Sequence, residues 1–425
     1  MKKTIYLLVC ATTLVFALNS CKSSDPAVDT TLQFSTLPVE QQKANVEQNG
    51  IDLVNKLDGV KDTKAMSALL SFMNHSNGST AFLVRPLSDL RTNVLRNNVK
   101  TLDVLSTQMR VAANVGDNIW GEWSWSSEIN DFVKSKTLVN QAIYHFPADS
   151  GSLVNNGELS LTYIESNIVA PKSNPTQNMP SSFALTVKVG TTTVLKANFA
   201  ATYNTDATPI TLSQTLEIEK YNWSIDLSNN QKDVSAKYAF KYDTQVLLKY
   251  EIGAAGSFTA KSIEESTGPQ DIIDGGYMSI QIMNIALYGG IADMKSMMNE
   301  GNALKPDSVI HTQQYGNETY SYTEYIYSKA YYEKEVGIFN KYLKFYAFFV
   351  AENQKFADAE FYLVEKNEQY YDYYNYPYQL KTRTVYNAQP RLVLSDGSKV
   401  DMSNYNQLTG FEDLIKQLES YNMNF

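Results

Sequence analysis

Apolar positions along this chain change their spacing twice. Val39, Val46, Leu53 and Leu57, with Pro38 ahead and Gly59 just past the end, return at helical intervals. Thr63 to Met73 reads as a second helix. Leu95, Val99, Leu102, Leu105 and Met109 keep steps of three and four in a third, over about 88–111 and stopped by Asn114 to Gly116. From Trp120 to about Ser262 the period becomes two. Val234, Ala236, Tyr238 and Phe240 alternate with Ser235, Lys237, Ala239 and Lys241, which predicts a strand with one buried and one wet face. Similar runs recur at Leu159–Glu165, Phe183–Val189, Val194–Tyr203, Leu212–Leu227 and Gln245–Ile252, joined by short links such as Gly190-Thr191 and Asn229-Asn230. Strands so joined are antiparallel neighbours in a meander, and long twisted strands of this kind curl.

Near Pro269 the pattern changes again. Ile280, Met283, Leu287, Ile291, Met294 and Met298 predict a helix closed by Gly301, entered through Asp274-Gly275-Gly276. Ile338 to Val350 fits either a helix or a buried strand. Strands follow around Glu360–Glu365 and Gln379–Tyr386, then a hairpin over Arg391–Met402 whose Asp396-Gly397 predicts a type I′ turn. Thr409 and Glu412 form a capping box ahead of a last helix with Phe411, Leu414, Ile415 and Leu418 on one face. The class is therefore α+β: N-terminal helices over 32–115, a curved antiparallel sheet over 116–262, of which a half-barrel is one form, and a tyrosine-rich α+β region over 263–425.

The N-terminus carries an address. Lys2 and Lys3 precede an apolar run from Ile5 to Leu18, too short to span a bilayer, and then Asn19, Ser20 and Cys21. Leu18-Asn19-Ser20-Cys21 resembles the lipobox of bacterial lipoproteins, and the segment as a whole resembles a Bacteroidota-type exported lipoprotein. The resemblance implies a signal peptide over 1–20, acyl chains on Cys21 as the contact with the outer membrane, and a tether over 21–31. Acidic residues soon after the cysteine can direct such lipoproteins to the surface. Asp25 stands alone here, so the periplasmic and surface faces both stay open. With Cys10 in the signal and Cys21 in the anchor, the body has no thiol for a disulfide, a thiolate metal site or a nucleophile.

Composition narrows the partners further. A formal charge of −9 disfavours nucleic acid. His75, His145 and His311 lie in different regions without metal-ligand spacing, no G-x-S-x-G elbow is present, and Gly275-Gly276 lacks the downstream Lys-Ser/Thr of a phosphate loop. No cofactor, metal or catalytic residue is expected on these grounds, although a carboxylate pair is a matter for coordinates.

Aromatic residues are the remaining signal. Trp123 and Trp125 share a strand face with Trp120 nearby, and Tyr370, Tyr371, Tyr373, Tyr374, Tyr376 and Tyr378 crowd a loop-like stretch. Flat amphipathic rings serve as stacking platforms for sugars or peptides, although cross-strand aromatic pairing accounts for the tryptophans at least as well. Met278, Met283, Met294, Met297 and Met298 would give a half-barrel a plastic apolar lining, in which case the architecture resembles the periplasmic carriers of lipoprotein acyl chains. The expectation is a non-enzymatic, lipid-anchored envelope protein binding a glycan, peptide or apolar molecule. A carboxylate-based hydrolase of an exported polysaccharide system and a structural subunit of a surface assembly are the alternatives.

Overall fold

Period-two alternation runs well past residue 262. In the computed structural model, which describes residues 32–76, 80–95, 119–149, 151–169, 178–315, 318–372 and 379–401, sixteen strands form one open sheet. The strands are β1 (Gly121–Ser126), β2 (Asp131–Thr137), β3 (Gln141–Phe146), β4 (Gly157–Val169), β5 (Asn178–Val189), β6 (Thr192–Tyr203), β7 (Pro209–Ile218), β8 (Tyr221–Asn229), β9 (Asp233–Tyr242) and β10 (Gln245–Gly256). They continue through β11 (Ile273–Ile282), β12 (Ile285–Ile291), β15 (Leu343–Phe349), β16 (Gln354–Asp372), β17 (Gln379–Leu394) and β18 (Lys399–Asp401). Among the described residues, β13 (Asp307–Tyr315) and β14 (Glu318–Ile326) pair only with each other. All pairings are antiparallel except β1 with β3, and β2 and β18 are the two edges. The fold is α+β and predominantly β, and residues 263–401 extend the same sheet through β10 and β11.

The first helices cover one face of this sheet. α1 (Val39–Leu57) begins one residue after Pro38, carries Glu40 in its first turn and ends with Lys56 in its last, each charge matching the helix dipole. Its Val39 and Val46 pack with Ala347, Phe349 and Phe356, while Leu53 and Leu57 join the main core. α2 (Lys64–His75) drives Phe72 against Phe132, Tyr144 and Phe146, with ring centroids 5.2–5.8 Å apart. Ser71 Oγ donates to the Pro147 carbonyl, and the Glu219 carboxylate accepts the Lys64 amide at the start of α2. α3 (Ala81–Leu95) adds Leu83, Leu87, Leu90 and Val94. The expected third helix thus begins earlier than Ser88, and its later half lies outside the described residues.

One expectation fails outright. Ile280 to Met298 is not a helix but the end of β11, a two-residue turn, β12 and the start of a helix. A period-two strand broken by two turn residues resets its parity, so Ile280, Met283, Leu287 and Ile291 imitate a helical stripe. Met283 takes φ +53° at that turn and drops into the core, pinned where Asn49 Oδ1 accepts the Asn284 amide. The Asp274-Gly275-Gly276 stretch opens β11 rather than a helix, so no helix N-terminus waits there for a phosphate. A Cβ on Gly275 would stand 2.8 Å from the Ala292 carbonyl oxygen, which explains the glycine by close backbone approach.

After the short α4 (Ala260–Glu265), α5 (Met294–Ala303) is capped by Asp293 and α6 (Lys329–Tyr342) by Ser328. The ambiguous segment Ile338–Val350 is both things: α6 runs to Tyr342 and β15 begins at Leu343. The hairpin after Arg391 forms, but its turn is not type I′. Gly397 donates to the Leu394 carbonyl and alone takes positive φ, +81°, while Leu394 donates to Ser398, the three-residue form in which one glycine suffices. The capping-box helix at Thr409 lies outside the described residues.

Candidate functional site

The sheet face opposite α1, α2 and α3 is polar through β10 and becomes aromatic and buried at β12 and β15. One row across it reads Ser182, Ala200, Ser213, Asp226, Lys237, Glu251, Ser279, Tyr288 and Tyr346, each residue directly opposite the next on the neighbouring strand. From Ala200 to Tyr346 this row crosses eight strands, about 34 Å at the usual interstrand spacing. A parallel row, one step toward the strand ends, reads Thr202, Thr211, Ser228, Ser235, Gly253 and Tyr277.

Where these two rows meet the connections 204–208 and 230–232, the face sinks into a hollow of about 490 Å³. Its sides are short: Ala200, Thr202, Thr211, Ser213, Ser228 and Ser235, with Asp226 and Lys237 as its charged members. Asp226 accepts a 2.8 Å hydrogen bond from Ser213, and Lys237 reaches Glu251 at 2.9 Å. Lys249 reaches the other oxygen of Glu251 at 2.7 Å. Burial alone would raise the Glu251 pKa, but hydrogen bonds from Lys249 and Lys237 outweigh it and hold the carboxyl below its usual range.

Three tyrosines continue beyond the hollow on β11, β12 and β15. Tyr277, Tyr288 and Tyr346 overlap like shingles, with centroids 5.9 and 5.2 Å apart and planes 11° and 26° from parallel. Tyr288 and Tyr346 are buried, 8% and 7% exposed. Tyr277 is half-buried at the end nearest the hollow. Its ring lies over Gly253, where an added Cβ would come within 2.2 Å of it, so glycine is what lets the ring lie flat. Its hydroxyl donates to Glu251 at 3.4 Å, and burial together with that carboxylate pushes its pKa up to about 12.

The residues singled out from sequence lie elsewhere. Trp125 is buried, edge-on to His75 at 4.6 Å. Trp123 stacks on Tyr144, donates to the Ile119 carbonyl and carries Lys134 over its ring. Both belong to the packing of the covered face. Tyr370 and Tyr371 stand at the far end of the β16–β17 ribbon, Tyr370 beneath the Arg383 guanidinium and Tyr371 54% exposed. Tyr373, Tyr374, Tyr376, Tyr378 and Cys21 lie outside the described residues. The histidines stay apart: His75 on α2, His145 beside Glu122 and His311 beside Glu324. Among the described residues, no three His, Cys, Asp or Glu side chains converge on a common point.

Sequence reasoning missed Tyr277, Tyr288 and Tyr346 because the helical reading of 280–298 hid the strands that align them. Asp226, Lys237 and Glu251 each stand at a wet position of an alternating strand. Only the register between strands makes a row of them. Comparison of the chain with family models, with curated proteins and with solved structures gave no match.

Proposed function

We propose that this protein is a non-enzymatic, lipid-anchored binding protein of the cell envelope, held at the outer membrane through Cys21, and that its ligand is a glycan received on the bare face of the sheet. The hollow of hydroxyl-bearing side chains, with the half-buried ring of Tyr277 lying over Gly253 one strand beyond Ser235 of its wall, carries this reading. Serine and threonine hydroxyls with one carboxylate and one ammonium offer donors and acceptors to sugar hydroxyls, and an amphipathic ring offers a face for stacking.

Three features favour it over the alternatives. The face that a carrier of acyl chains would keep open is filled by Leu53, Met66, Leu69, Phe72, Leu83 and Leu87, so a sheet coiled toward a half-barrel would have its lumen occupied by its own helices. Among the described residues, the carboxylates with shifted titration, Glu251, Glu300 and Glu360 included, move down, whereas a glycosidase acid needs a raised pKa. Finally, the chain enters the fold at the opposite end from the hollow. Ser35 donates to Lys355 and Lys355 to Gln33, beside the 350–353 loop and at the same strand ends as the turns 190–191, 219–220, 243–244 and 283–284. A tether attached there leaves the hollow clear of the point of attachment.

The test is binding of the full chain, in detergent, to a broad glycan array. Binding lost in Tyr277→Ala and Asp226→Asn but kept in Tyr371→Ala supports the bare-face site. Loss only in Tyr371→Ala moves the site to the β16–β17 ribbon, and no binding to any glycan overturns the reading. The anchor is tested separately: Cys21→Ala should release the chain into the soluble fraction.

A further inference from the structure

We infer that copies of this chain associate head to tail, the β13–β14 ribbon of one copy adding to the β2 edge of the next. The ribbon is a two-stranded sheet of its own, nine residues a side, and such a hairpin is marginal alone in water. It nevertheless exposes apolar side chains on both faces: Ile310 is 69% exposed on one, Val309 and Tyr320 are exposed on the other. Residues 307–326 contain Asp307, Glu318 and Glu324 and no lysine or arginine. At one edge of the main sheet, β2 has Val133 exposed, Val139 exposed just beyond it, and Lys134 and Lys136 following Asp131 along the strand.

The charges select the pairing. Lysines on an edge strand oppose a second copy of the same edge, and an acidic ribbon opposes a second ribbon. Ribbon against β2 is the combination in which opposite charges meet, apolar side chains are covered and two strand edges with no strand partner among the described residues acquire hydrogen-bond partners, the mode known as strand addition. Because the two surfaces differ, the contact is heterologous and leaves a free ribbon and a free edge for the next copy.

Sedimentation of the full chain in detergent tests this, with the exposed substitutions Lys136→Glu and Glu324→Lys. The unmodified chain should associate in a concentration-dependent way that salt weakens. Each variant alone should associate about tenfold more weakly or worse, because a like charge now faces the contact. An equimolar mixture of the two should recover concentration-dependent association, the two variants alternating at equal stoichiometry, because the reversed edge of one meets the reversed ribbon of the other and the unmodified ribbon of the first meets the unmodified edge of the second. A chain that stays monomeric at all concentrations, or a mixture no more associated than its components, overturns the inference. Failure here leaves glycan binding on the bare face untouched, since neither substituted residue lines the hollow.

Discussion

Two rows of side chains, three residues apart on every strand, divide the work of this sheet. On the helix side the row reads Leu161, Leu185, Ala197, Leu216, Trp223, Phe240, Leu248, Ile282, Ile285 and Phe349. On the other side the same strands present Ser182, Ala200, Ser213, Asp226, Lys237, Glu251, Ser279, Tyr288 and Tyr346. The covered row is stitched by close packing, as where Trp223 stacks on Phe240 at 4.5 Å. The bare row is stitched by ion pairs and hydrogen bonds until the tyrosines take over. On the proposed reading, stability falls to the covered row and recognition to the other, so a substitution on one face should leave the other largely intact.

The sharpest way to break that division is Phe72→Ala. It empties a site bounded by Phe132, Tyr144 and Phe146 and should lower the unfolding free energy by about 3–5 kcal/mol, read from denaturant melts. Tyr288→Leu tests whether the tyrosine shingle is structural as well, since it removes two ring contacts and should cost about 1–2 kcal/mol. An equal cost from both would mean that the bare face is a second core. Gln231→Gly acts on neither row. It relieves φ +71° in the connection beside the hollow and should add about 1 kcal/mol to stability without altering ligand binding.

Asp226→Asn should move stability by no more than about 0.5 kcal/mol while abolishing glycan binding. A large loss of stability there would erase the contrast between faces. The smallest effect concerns acid. The folded pKa of Glu251 lies below its ordinary value, so its contribution is fully present above the unfolded pKa and is lost as pH falls through the folded one. Glu251→Gln should therefore flatten the stability profile below about pH 4.5 and leave its shape near neutrality unchanged.

Local pattern was enough for α1, for α2 and for most strands between Leu159 and Ile252, because a helix or a half-buried strand repeats its environment every few residues, but the single run Leu212–Leu227 is two strands, β7 and β8, turned at 219–220. It failed at β11–β12, where two turn residues shift the parity of alternation and counterfeit a helix. It also failed at Asp396-Gly397, where the dipeptide was right and the loop one residue longer. The aromatic clusters conspicuous in sequence, Trp123 with Trp125 and Tyr370 with Tyr371, turned out to be a core contact and a ribbon tip.

By itself, then, the sequence determined the α+β class, the order of the first helices before the first strands, and which residues of the strand around Val234–Lys241 are wet. Tertiary structure alone decided that all the long strands share one open sheet, that Asp226, Lys237 and Glu251 stand shoulder to shoulder, and that Tyr277 lies beside a hollow. The reason is physical. Periodicity is a property of one strand, whereas a row across a sheet depends on register, and register is set by how turns and packed helices align strands far apart in the chain.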